Sequence, residues 1–72
     1  MATMADPKVV VSYFVQEWGE DARRHAEGVR AVLAFSGLSE EAESALRDMA
    51  RALEATREAA ARAALALRRA EG

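Results

Sequence analysis

The sequence predicts an all-α fold in which two long helices fold back on each other as an antiparallel hairpin. Three observations support this prediction. Apolar residues recur at alternating steps of four and three, a single break rich in turn residues interrupts that spacing, and the composition leans on Ala, Arg, Glu and Leu with four Gly and one Pro. We expect helices at about residues 7–35 and 39–69, and we expect two hairpins to dimerise into a four-helix bundle, a form of coiled coil.

The first helix is predicted to begin at Pro7, because Asp6 can cap free backbone N–H groups and proline is tolerated at the first helical position. The valine run that follows favours a strand by propensity, but strict alternation of apolar and polar residues is absent. The four-three spacing instead predicts one helix to about Phe35, although Gly19 costs about 1 kcal/mol relative to alanine. The predicted helix face consists of Val11, Val15, Trp18, Ala22, His25, Val29 and Val32.

The break in the spacing predicts a turn at residues 36–38 and the start of a second helix. Gly37 suits the left-handed conformation past a helix end, and Ser39 suits the next N-cap. The second helix is then expected to run to about Arg69, with acidic residues in its first turn and arginines in its last, as the helix dipole favours. Its predicted face consists of Ala42, Leu46, Met49, Leu53, Thr56, Ala60, Ala63, Leu67 and Ala70.

A chain of 72 residues forms one domain at most, here residues 1–72 with a flexible start at 1–6 and a frayed end at 70–72. A domain this small buries only about 60% of the surface of its unfolded chain. Without cysteine it has neither disulfides nor thiolate metal sites to stabilise it. Oligomerisation is the remaining route, so we expect a homodimer or a complex with another helical protein.

The short turn also predicts how the helices face each other. If Phe35 lies opposite Ser39, Trp18 lies near Thr56, and large side chains of the first helix meet small ones of the second. The same register predicts two charged pairs across the hairpin, Glu27 with Arg47 and Arg30 with Glu43.

The apolar residues near the start of the first helix span an arc of about 140°, which is broader than one partner helix covers. This width predicts an interface with a further protein. We assign the partner or dimer interface to Val10, Val11, Phe14, Val15, Trp18 and His25.

The sequence does not predict an enzyme. Glu17, Asp21 and His25 follow one another at steps of four, but a helical metal site needs ligands from facing helices, and the chain has one histidine. No nucleophile, base and orienting group can be assembled, and no glycine-rich phosphate loop is present. We therefore predict no metal, no cofactor and no small-molecule substrate.

Net charge at pH 7 is −2, which does not favour nucleic-acid binding by the chain as a whole. One end of the hairpin is nevertheless basic and is a candidate site for an anionic ligand. Its residues are Lys8, Arg62, Arg68 and Arg69. A small dimeric hairpin that regulates or binds nucleic acid through this end is the alternative function.

The function predicted first is a non-enzymatic protein–protein interaction module, such as an adaptor, a small chaperone or an inhibitor, that binds through an apolar helical face. No apolar run approaches the roughly 20 residues that span a bilayer, and the start of the chain is not typical of a secretory signal. We therefore expect a cytoplasmic protein without membrane contact.

Overall fold

The computed structural model describes residues 7–69, which form two helices, α1 (Pro7–Leu33) and α2 (Glu40–Arg69). The helices pack side by side and run in opposite directions, which confirms the all-α hairpin. The molecule is a thin rod of 60 × 22 × 12 Å. Pairing of two hairpins into a bundle stays a prediction, and the predictions for residues 1–6 and 70–72 lie outside the described residues.

The end of α1 is tightened by two backbone hydrogen bonds that span three residues instead of four. The N–H of Ala34 donates to Ala31 at 3.2 Å, and that of Phe35 donates to Val32 at 3.0 Å. Gly37 then takes φ = 89°, a left-handed conformation that favours glycine. The predicted helix end at about Phe35 thus includes this tight turn beyond Leu33.

Ser39 caps α2, as predicted. Its Oγ accepts a hydrogen bond from the N–H of Ala42 at 3.1 Å, and its carbonyl accepts one from Glu43 at 2.9 Å. The ion pair between Glu43 and Arg47, at 3.4 Å, links successive turns of the helix. Side-chain capping and acidic residues in the first turn together explain why the helix begins at this point.

The two helices meet along a seam of mostly small side chains. The most enclosed α1 positions in the seam are Ser12 and Ala26, each with 0% of its surface exposed. The Ser12 hydroxyl donates to the carbonyl of Val9 at 2.7 Å, so burial leaves this polar group with a partner. The seam consists of the buried or half-buried residues Ser12, Val15, Gly19, Ala22, Ala26, Val29 and Leu33 on α1, and Leu46, Ala50, Leu53, Ala60, Ala64 and Leu67 on α2.

Gly19 marks a close approach of the two helices. A Cβ atom built on it would lie 3.0 Å from the Cβ of Ala60 and 3.7 Å from the carbonyl oxygen of Arg57. The helix continues through Gly19 without a break. Glycine is therefore placed where the opposing backbone leaves little room for a side chain.

The predicted helix faces were correct at alternate positions and wrong by one residue at the positions between them. The correct positions are Val15, Ala22, Val29, Leu46, Leu53, Ala60 and Leu67. Trp18 and Met49 were predicted to face the opposite helix, but both are exposed, and the seam uses their neighbours Gly19 and Ala50 instead. Small side chains let the helix axes approach closely, so in this pair close packing outweighs burial of the larger residues.

The predicted register was also wrong. Gly19 lies opposite Ala60, whereas the predicted register placed it opposite Ala55. Leu33 lines a surface hollow together with Arg47 and Ala50, so the first turns of α2 extend past the end of α1. The charged pairs change accordingly: Arg30 pairs with Glu54, Glu27 with Arg23, and Arg47 with Glu43.

Candidate interaction surface

Two side-chain contacts between the helices distinguish the two broad faces of the hairpin. The Arg30 guanidinium pairs with the Glu54 carboxylate at 2.5 Å, and the Arg68 guanidinium donates to the Gln16 amide oxygen at 2.5 Å. All four residues directly follow a seam residue in the sequence. Positions that follow the seam on both helices therefore share one face, and positions that precede it share the opposite face.

The face formed by the positions that follow the seam is the polar face. It carries the two contacts between the helices and two shallow hollows lined largely by charged side chains and alanine. Along its edges, arginines form further pairs within each helix. These are Arg23 with Glu20 and Glu27, and Arg57 with Glu54. Exposed pairs of this kind contribute little stability, but they keep this face hydrated.

The opposite face is apolar, and its α1 half forms a ridge of large side chains. Phe14 and Trp18 are 57% and 59% exposed, far more than a core aromatic residue. The stripe continues by steps of three and four towards the turn, and Phe35 follows at the same spacing in the tight turn after α1. The ridge consists of Val11, Phe14, Trp18, Asp21, His25, Gly28 and Val32.

The α2 half of the apolar face is a track of small side chains without any charge. Its one hydroxyl, that of Thr56, donates to the carbonyl of Ala52 at 2.9 Å and is therefore satisfied within the helix. Met49 is the one long side chain on the track and is half exposed. The track consists of Ala42, Ala45, Met49, Ala52, Thr56, Ala59, Ala63 and Ala66.

The structure brings together four of the six residues that the sequence assigned to an interface. Val11, Phe14, Trp18 and His25 all lie on the ridge. Val15 instead belongs to the seam and is half-buried by α2. Val10 lies at the outer edge of α1, directly opposite the seam.

The sequence reasoning missed the α2 track. It assigned Met49, Thr56 and Ala63 to the contact between the helices, and it gave no role to Ala45 and Ala66. A signal was present, because each helix carries two overlapping four-three repeats that are offset by one residue. The repeat that includes Ser12, Gly19 and Ala26 on α1 could have indicated the seam by the small size of its members.

The basic residues of the alternative function lie at the end of the rod remote from the turn. Arg62, Arg68 and Arg69 are exposed, and Arg68 is held towards α1 by Gln16. Lys8 is also exposed and takes part in an interaction of its own. Tyr13, the aromatic residue that would stack on a base of a bound nucleic acid, points away from the apolar face. Binding of an anionic ligand at this end stays a prediction.

Glu17, Asp21 and His25 are the residues that the sequence analysis considered as metal ligands and rejected. In the structure, Asp21 instead pairs with Arg24. Within residues 7–69, no three His, Cys, Asp or Glu side chains form a group that could hold a metal ion. Neither α1 nor α2 contains a stretch apolar enough over sufficient length to cross a membrane. Comparison of the chain with protein-family models, curated proteins and solved structures gave no significant match.

Proposed function

We propose that this hairpin is a non-enzymatic protein–protein interaction module that binds through its apolar face. The carrying observation is the exposure of Phe14 and Trp18 on a helix whose buried positions are occupied mainly by serine, glycine and alanine. Large aromatic side chains on the surface of a small protein are typical of binding sites, because their burial supplies much of the affinity of protein interfaces.

The surroundings of the aromatic residues support the same proposal. The ridge and the track form one mostly apolar surface in which Asp21 and His25 are the ionisable residues. Apart from the Asp21–Arg24 pair, the ion pairs within the hairpin lie on the opposite face and along the edges. A helical partner laid on this surface would bury the apolar side chains and leave the polar face in water. An adaptor, a small chaperone and an inhibitor are the roles that such a surface serves.

The nucleic-acid alternative has weaker support from the described residues. Single-strand binding combines basic groups with exposed aromatic residues on one surface. Here the ridge aromatics Phe14 and Trp18 lie on the face that carries few charges, while Arg68 contacts Gln16 on the polar face. Among the exposed aromatic residues of α1, Tyr13 alone lies on the polar face with Arg68, and the acidic residues Glu17 and Glu20 line the same hollow as Tyr13.

Site-specific photo-cross-linking in the producing cell tests the proposed function. A photoreactive amino acid replaces Phe14 in one variant, Trp18 in a second, and Tyr13 in a matched control, whose side chain is 64% exposed but lies off the apolar face. We expect a discrete protein adduct from position 14 and little or none from position 13. The proposal fails if positions 14 and 18 both give no adduct that exceeds the control.

A further inference from the structure

We propose that the partner of the apolar face is a second copy of this chain, with the two hairpins face to face and their turns at the same end. In this arrangement the ridge of each copy packs on the track of the other. The inference rests on the proposed function and specifies the partner. It follows from the dimensions of the face, from its shape and from its distribution of charge.

The dimensions of the apolar face match those of a dimer interface. The track from Ala42 to Ala66 is about 36 Å long at 1.5 Å per residue, and the hairpin is 22 Å wide. The face therefore offers about 800 Å² per copy, which is the contribution of one partner to an interface of standard size. A small surface patch of a few side chains would fall well below this area.

The shape of the face is complementary to itself under one particular symmetry. The ridge and the track lie side by side on the same face, so a two-fold axis parallel to the helices places each ridge over the track of the other copy. Large side chains then meet alanines, as close helix packing requires. A two-fold axis across the helices would instead set ridge against ridge and track against track, which leaves a gap beside the alanines.

The parallel axis also predicts which residues meet. It preserves the height of each residue along the rod, and within one copy Gly19 is level with Ala60. Trp18 of one copy therefore lies between Ala59 and Ala63 of the second copy, one turn apart on the track. The small side chains of these two alanines leave room for the indole ring of the other copy.

The charges on the face are compatible with this pairing. Asp21 and His25 are the ionisable residues of the ridge, and the track opposite them has none. Asp21 is already paired with Arg24 on its own helix. Bringing two copies together therefore places no pair of like charges in contact and leaves the polar-face ion pairs in water.

Sedimentation and light scattering of the purified chain give the first test. We expect the native chain to be a dimer at micromolar concentration. Trp18→Glu and Ala59→Glu should each weaken association about 100-fold. Tyr13→Glu and Ala55→Glu, which lie off the face, should change it little. Helical circular dichroism identifies any variant that fails to fold. A native chain that stays monomeric at high micromolar concentration overturns the inference, whatever the variants do.

A distance measurement gives the second test. The chain contains no cysteine, so Ser36→Cys at the turn takes a single spin label. With turns at the same end, the label-to-label distance is well under half of the 60 Å length of the rod; with the copies reversed, it approaches that length. A long distance overturns the proposed symmetry.

The outcomes for the partner and for the function can be distinguished. If the purified chain is monomeric and position 14 cross-links to a different protein in the cell, the second copy is rejected and the interaction module stands. If neither experiment finds a partner on the apolar face, both proposals are rejected.

Discussion

On α1, small side chains are buried in the seam and large ones are exposed on the apolar face. This is the reverse of the usual relation, in which larger apolar side chains are more deeply buried. In the seam, Gly19 and Ala26 are buried, although they have little apolar surface to remove from water. On the apolar face, Phe14 and Trp18 carry far more apolar surface and remain mostly exposed. The difference indicates that the hairpin uses close approach of its backbones for its own packing and leaves its strongest hydrophobic groups for association.

The most damaging change to the seam should be an increase in side-chain size at its most enclosed position. Ala26→Leu forces extra methyl groups between the helices, and we expect it to lower the free energy of unfolding by about 2 kcal/mol. Ala55→Leu makes the same change at an exposed position of α2 and should alter stability by less than about 0.5 kcal/mol. Urea unfolding followed by circular dichroism measures both. Equal effects of the two variants would contradict the packed seam.

Two glycines of α1 should respond in opposite directions to the same substitution. Among the described residues, no neighbouring group lies within 4 Å of a Cβ atom placed on Gly28, so Gly28→Ala should stabilise the helix by about 0.5–1 kcal/mol. In Gly19→Ala the new methyl group would meet Ala60 at 3.0 Å, and both atoms are fixed to helix backbones. We expect this crowding to exceed the gain in helix propensity. Thermal unfolding compares the two; equal stabilisation would show that the helices are not so close.

The contacts on the polar face should contribute least to the stability of the hairpin. A double-mutant cycle with Arg30→Ala and Glu54→Ala measures the pair that joins the helices there. Both side chains are partly exposed to water, so we expect a coupling free energy of about 0.2–1 kcal/mol that declines as salt is added. A coupling of several kcal/mol, insensitive to salt, would show that this face is more strongly shielded from solvent than the structure indicates.

The sequence was sufficient to predict the two helices, the turn between them and the Ser39 cap, because these depend on local chemistry. Ser39 accepts a hydrogen bond from a backbone group three residues away, and Gly37 is needed for a left-handed conformation at its own position. The apolar arc near Phe14 and Trp18 also indicated an exposed surface, since its width exceeds what one helix covers.

The sequence was not sufficient to predict the seam and the register. Two four-three repeats overlap on each helix, and a shift from one to the other rotates the helix by about 100° with almost no change in periodicity. The choice depends on how closely the opposite helix approaches, as at Gly19 and Ala60. The predicted face of α1 lies between the two repeats, because it alternates seam residues such as Ala22 with ridge residues such as Trp18. The register followed from an assumed tight turn, whereas α2 extends past Leu33.

The alanine-rich seam has a consequence for selection among random variants of this protein. Most of its buried residues are already alanine, so replacement by alanine, the usual probe of a contact, cannot be applied at those positions. A saturation library would instead reveal an upper limit on size at Ala22, Ala26, Ala60 and Ala64, and a lower limit on hydrophobicity at Phe14 and Trp18. The seam would thus accept only small side chains and the apolar face only hydrophobic ones, within the same few turns of helix.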